Sequence, residues 1–212
     1  MTLKEYTDRL AALRSGDFSK LLISKQYAER LIEQPLCTIN LPTGKIVAND
    51  PICFYQKEPF DKKVKPGKYP IVLYIHCIDN DKRVSFAEIR FSSNIPVKFE
   101  LAVHAGEALT ELTDNEYYGY GVDSGTGGFC DKKTCDKYEE FDKTPPEIED
   151  MLSESYVYTY STADYHLPNT DLNIAVFSAG FGDGCYPSYW GFDKDGNICS
   201  LITDFLTLDE AE

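Results

Sequence analysis

The chain has 212 residues, near the upper size for one hydrophobic core, and 42% are apolar, so one folded domain over 1–212 is expected and a disordered chain is excluded. No apolar run reaches the ~18 residues of a membrane span, and the opening Met1-Thr-Leu-Lys-Glu-Tyr6 lacks the basic-then-apolar pattern of a secretory signal; neither is expected. Charge is uneven: residues 1–100 hold 16 Lys/Arg and 12 Asp/Glu, net +4, whereas residues 101–212 hold 5 and 23, net −18, a field that disfavours nucleic acid as a partner.

Along the chain, Leu3, Tyr6, Leu10 and Leu13 recur at helical spacing, and Asp17 caps an expected second helix over 18–34 that ends at Gln34-Pro35. A helical segment 1–35 packed on a β-rich body 36–212 is the predicted layout. Leu36–Leu41, a turn at Pro42-Thr-Gly44, and Lys45–Ala48 read as a hairpin. Tyr69–Ile78 suits a central strand, and Asp79–Lys82 a turn. Arg83–Phe91 alternates, with Val84, Phe86 and Ile89 expected on its apolar side. Pro96–His104 is another strand. Residues 130–155 read as a charged loop with a short helix near 145–153. Strands at 156–160, 172–178, 187–192 and 198–205 complete the plan. Short strands joined by tight turns predict a mainly β (α+β) fold: an antiparallel β-sandwich or barrel-like sheet carrying the N-terminal helices.

The seven cysteines (37, 53, 77, 130, 135, 185 and 199) are odd in number, have no repeating spacing and mostly sit in apolar runs. They read as free thiols of a reducing, cytoplasmic setting.

Two glycine-rich segments are the candidates for chemistry. Tyr118–Asp131 sets Asp123, Ser124, Thr126 and Asp131 among five glycines, which permit close backbone approach; such a loop can offer oxygens to a hard cation such as Mg or Ca, or N–H groups to an anion. Equally, Asp123 can cap its own loop. Phe177–Gly191 holds Asp183 between two glycines, followed by Tyr186, Tyr189 and Trp190, which form either a ligand wall or core packing. Asp193–Asn197 reads as a hairpin turn, since it lacks the third acidic position and distal glutamate of a calcium loop. Cys130 and Cys135 have no second pair to complete a zinc site. His76 and His104 sit in apolar strands, and His166 in a loop. No nucleophile motif is present.

Pro42–Pro51, Pro66–Pro70, Val122–Asp131, Ser178–Pro187 and Thr203-Asp204-Phe205 together resemble the bacterial family catalogued as domain of unknown function 4241. The family's usual pattern has Ala at Ser124, Cys at Gly128 and Trp at Phe181. The resemblance implies a shared fold, carries no reaction, and suggests that Asp50, Asp123, Asp131, Asp183 and Asp204 contribute to a shared polar pocket. Three functions are weighed. One is a non-enzymatic binding protein of a bacterial conflict system, immunity-type, whose acidic half captures a basic protein partner. The alternative is a metal-assisted hydrolase with Asp123, Asp131 and Asp183 as ligands and Thr126, Tyr186 or His166 at the substrate. Between them lies a small-molecule pocket walled by Tyr186, Tyr189 and Trp190.

Overall fold

The computed structural model describes residues 10, 14, 31–54, 56–113, 116–140 and 145–208. The fold is mainly β, built from antiparallel sheets, none of them closed into a barrel. The six-stranded sheet runs β1 (Leu31–Leu41), β3 (Gly67–Ile78), β4 (Asp81–Arg90), β12 (Ile198–Asp204), β11 (Ser188–Phe192), β5 (Lys98–Leu101). The four-stranded sheet runs β2 (Ile46–Asn49), β7 (Thr126–Asp131), β9 (Asn173–Ser178), β8 (Thr162–His166). A two-stranded ribbon pairs β6 (Tyr120–Val122) with β10 (Gly184–Tyr186).

Period-two alternation sorts the side chains into three apolar layers. Inward residues of both sheets, including Ile71, Leu73, Ile89, Phe129, Phe177, Trp190 and Leu201, form one shared core. The outer face of the six-stranded sheet buries Val72, Tyr74, Phe86, Tyr189 and Ile202 with Leu10 and Leu31. The outer face of the four-stranded sheet buries Val47, Cys130, Ile174 and Val176 beneath two helices, α1 (Lys132–Tyr138) and α2 (Pro146–Ser155), through Cys135, Tyr138 and Ile148. Both sheets are covered on both faces, which is why β3 carries a near-continuous apolar run from Ile71 to Ile75.

Several expectations are corrected. The N-terminal helices are not supported: residues 31–34 belong to β1, so the expected helix over 18–34 does not reach its end, and Pro35 sits inside the strand at a register shift against Val72. Most of the rest of 1–30 lies outside the described residues. Leu36–Leu41 and Lys45–Ala48 do not form a hairpin. β1 pairs with β3 and β2 with β7, so the turn at Pro42–Gly44 carries the chain from one sheet to the other. Thr43 anchors that crossing through Asp131, and Gly44 takes φ 69° beside the Val64 carbonyl, where a side chain would not fit. Val84 and Phe86 do not share a face. Tyr74 lies opposite Phe86 but Ile75 lies opposite Val84, so the bulge at Ser85 puts Phe86 in the outer layer and Val84 in the inner one. Residues 156–160 form a tight turn closed by Val157 and Tyr160, and the strand follows at Thr162. The helix near 145–153 is present; α1, read as loop, was missed.

Outer-layer polarity concentrates at Glu88, which is fully buried. It accepts from Arg14 (2.7 Å), the Tyr74 hydroxyl (2.8 Å) and Arg90 (2.8 Å), and Arg90 reaches Glu33 at 3.0 Å. Burial, followed by the Glu88 carboxylate, pushes the Tyr74 phenol far above its ordinary range. Arg14 also donates to the carbonyls of Ser92 and Asn94, so it ties residues remote in sequence to the sheet.

Candidate functional site

The two glycine-rich segments meet at the β6–β10 ribbon. Val122 pairs with Gly184 and Gly121 with Cys185, which places the turn after β6 beside the turn before β10. The Gly125 amide donates to the Asp183 carboxylate at 2.9 Å, and the Ala179 amide donates to the Gly125 carbonyl at 2.9 Å. Gly125 (φ 68°), Gly180 (φ 47°) and Gly182 (φ 121°) take backbone conformations that L side chains rarely adopt, which allows two turns this tight to abut. A side chain at Gly180 would meet the Phe205 carbonyl at 2.8 Å, so here glycine is also required for space.

A third segment locks the junction. Asp50, 1% exposed, follows β2 in the turn before Pro51. One of its oxygens accepts from the amides of Ile52 (2.8 Å) and Cys53 (3.0 Å) and from the Ser124 hydroxyl (2.8 Å). The other accepts from the amides of Asp123 (3.0 Å) and Ser124 (2.8 Å). Asp50 thus neutralises the donors of the 123–124 turn, and the Asp123 carboxylate is left exposed, accepting no hydrogen bond among the described residues. Asp183 is likewise exposed, with one oxygen held by Gly125. Cys53 reports the assembly: burial first, then the carboxylates of Asp50, Asp123 and Asp183, push its thiol above the ordinary value.

Other predicted residues play different parts. Thr126 is buried at the start of β7, donating to the Ser124 carbonyl at 3.4 Å. Tyr186 is buried beneath the 182–186 turn, which it closes by donating to the Gly182 carbonyl at 2.8 Å, and it packs edge-on against Phe205. Tyr189 and Trp190 are neighbours on β11 and so face opposite sides: Tyr189 lies in the outer layer and Trp190 in the inner core. They cannot wall one pocket. The residue that does stand out at the rim is Phe181, 46% exposed, with the Arg83 guanidinium 5.4 Å from its ring centroid.

The predicted metal set is not assembled. Asp131 ends β7 five residues from Thr126, roughly 17 Å along the strand at ~3.3 Å per residue. It is fully buried, caps α1 through the Lys133 amide (2.9 Å) and binds the Thr43 amide (3.0 Å) and hydroxyl (2.9 Å). Asp123 and Asp183 therefore stand apart from Asp131, and among the described residues no three His, Cys, Asp or Glu side chains are arranged to hold a metal. His166 sits at the same far end, opposite Asn173 and 3.2 Å from Asp164. His76 and His104 are buried. Asp204, the fifth aspartate of the pattern, is buried and accepts from the Leu206 amide at 2.8 Å. These roles separate in stability. Asp131→Ala is expected to cost about 2 kcal/mol, as a lost cap plus a lost tie to Thr43. Asp123→Asn is expected to stay within about 0.5 kcal/mol. Urea denaturation of the two variants checks this.

Sequence reasoning reached Asp50 only through the family pattern and passed over Cys53. An aspartate directly before proline at a strand end is a turn-initiating signal, and it was the available clue to Asp50.

Among the described residues no helix is long and apolar enough to cross a membrane. No curated protein and no solved structure matches the chain. The family described as "Protein of unknown function (DUF4241)" matches residues 39–203, most of the chain, and the chain belongs to that family.

Proposed function

We propose that the chain is a non-enzymatic binding protein that receives a basic partner on the acidic rim made by Asp123 and Asp183, with Phe181 as its apolar contact. The supporting observation is the division of labour among carboxylates. Asp50 and Asp131 are spent on backbone amides, whereas Asp123 and Asp183 point their charge outward from rigid, abutting turns. Preorganised like charges, carried by the half of the sequence that is net −18, speed encounter with a cationic surface, and their effect weakens with salt. An exposed aromatic beside them supplies the kind of rigid anchor that protein contacts favour. The narrower reading, an immunity-type protein of a bacterial conflict system whose partner is a basic toxin, rests on the same charge layout.

The test is capture of host-cell proteins on the immobilised chain at low and high salt, alongside the Asp123→Asn/Asp183→Asn double variant. Basic proteins should be retained at low salt by the native chain. The variant should hold them about 5- to 30-fold more weakly, the effect of two exposed charges worth up to ~1 kcal/mol each. Equal retention by both forms would contradict the proposal.

A further inference from the structure

We propose that Lys45, Lys63 and Lys132 form an anion site for an oligophosphate, free or as the phosphate tail of a nucleotide. The inference is independent of the binding reading. Lys45 precedes β2 and Asp50 follows it, so this site and the acidic rim lie toward opposite ends of that strand.

The segment after β2 turns back along it. The Phe60 amide donates to the Ile46 carbonyl (2.9 Å), Lys63 lies directly opposite Lys45 in an antiparallel bridge, and the Val64 amide donates to the Gly44 carbonyl (3.0 Å). On the other side of β2, the Lys132 amide donates to the Lys45 carbonyl (2.9 Å), one step beyond the Ile46–Asp131 pair. Three lysines on three adjacent backbone segments therefore stand in one row. Ile46 and Val64 pack into the shared core, so their neighbours Lys45, Lys63 and Lys65 point out of it. Lys65 and Lys133, both exposed, flank the row.

This charge is unusual in a chain of net −14. Nearby lysines have carboxylates: Lys57 pairs with Glu139 (2.6 Å), Lys62 with Asp61 (3.3 Å) and Lys132 with Asp136 (2.7 Å). Lys45, Lys63, Lys65 and Lys133 make no ion pair among the described residues. Like charges directly opposite on paired strands destabilise, and Lys45 and Lys63 are such a pair. Protection of a sheet edge by lysine does not explain them, because residues 60–64 already pair with the β2 edge. The frame is rigid. Asp131 binds the Thr43 amide and hydroxyl and the Lys133 amide, which ties the backbone around Lys45 to that around Lys132 before any ligand arrives.

Size and charge select the ligand. Neighbouring strands lie ~4.8 Å apart, so the row is roughly 10 Å long, more than one phosphate can touch and within reach of a chain of them. Lysine ammoniums bind phosphate oxygens as point charges, with no fixed geometry. An extended polyanion such as a duplex or a membrane would also come within a Debye length of the half of the chain that is net −18, whereas a compact one meets the lysines alone.

The test is calorimetric titration of the full chain with inorganic tripolyphosphate, at low salt and free of divalent cations. Binding should weaken about ten-fold in Lys45→Gln/Lys63→Gln, the effect of two exposed ion pairs. It should be unchanged in Lys98→Gln/Lys194→Gln, which removes the same charge from two other exposed positions. Orthophosphate should bind roughly ten-fold more weakly than tripolyphosphate, having fewer charges to pair. Adenosine triphosphate separates the two sources: affinity equal to that of tripolyphosphate assigns the site to phosphate alone, and tighter binding assigns it to a nucleotide. Without ligand, Lys63→Gln should melt no lower than the native chain, because it removes a repulsion. A lower melting point would assign the lysines to the fold and count against the site. Absence of tripolyphosphate binding, equal binding by the two double variants, or tighter binding of a DNA duplex or of phosphatidylserine vesicles would overturn the proposal.

Discussion

Glu88→Ala should lower the unfolding free energy by about 3–5 kcal/mol and the melting temperature by roughly 10–15 °C. Glu88 is a fully buried carboxylate whose partners are themselves charged or buried: Arg14, Arg90 and the Tyr74 hydroxyl. Removing the anion leaves the Arg14 guanidinium, whose side chain is 6% exposed, with only the carbonyls of Ser92 and Asn94 as acceptors among the described residues. The cost is therefore that of an uncompensated cation in an apolar layer, and it far exceeds the gain that forming such a pair brings. Arg90 retains Glu33 at the partly exposed end of the network, so a Glu33→Ala change should cost less than about 1 kcal/mol. Guanidinium denaturation of both variants checks the order. Equal losses would mean that the network acts as a surface ion pair.

Asp50→Ala should cost a similar amount, about 3–5 kcal/mol, for a different reason. Five donors converge on this carboxylate from two segments more than seventy residues apart, at distances of 2.8–3.0 Å. Deleting it leaves four backbone amides and a hydroxyl without their acceptor at once. Asp50→Asn is not a rescue. In either orientation of the amide, its NH₂ group faces at least two backbone N–H donors, so about 2 kcal/mol should still be lost. Beyond stability, the variants should uncouple the turn at Asp123 from Cys53, which makes Asp50 the positioning residue of the rim. A loss below about 1 kcal/mol in Asp50→Ala, measured by urea denaturation, would show that the turns hold each other without it.

Local signals in the sequence were read correctly where local physics decides the outcome. The β11–β12 hairpin follows from Asp193–Asn197, where the Asp193 carboxylate accepts the amides of Asp195 and Asn197 and Gly196 takes φ 79°; those bonds, the Asn197 amide foremost, hold the Asp193 carboxyl below its ordinary value. The approach of the 123 and 183 turns was suggested instead by the family pattern, which groups Asp123 and Asp183 in a shared polar pocket. What failed was non-local. Whether Leu41 and Ile46 flank a hairpin or a sheet-to-sheet crossing is settled by Asp131, 88 residues from Thr43. Phe86 changed face because one bulge residue inverts every alternation after it. Asp131 was taken for a ligand because a capping carboxylate and a metal-binding one are the same residue in the same company of glycines; only the helix it caps distinguishes them. Tyr189 and Trp190 read as one aromatic wall, yet adjacent residues of a strand cannot share a face.

The central claim is that Asp123 and Asp183 converge with their charge directed outward, and Cys53 is the built-in probe of it. Its thiol is raised by burial and then by the carboxylates of Asp50, Asp123 and Asp183, so removing either outer charge favours the thiolate. The measurement is the pH dependence of Cys53 alkylation, resolved by peptide mass spectrometry, in the native chain, Asp123→Asn, Asp183→Asn and the double variant. The midpoint should fall in each single variant and fall furthest in the double. An unchanged Cys53 midpoint in all three, with the fold intact by circular dichroism, would place both carboxylates outside the reach of the Cys53 thiol and contradict the convergence of the two turns on it.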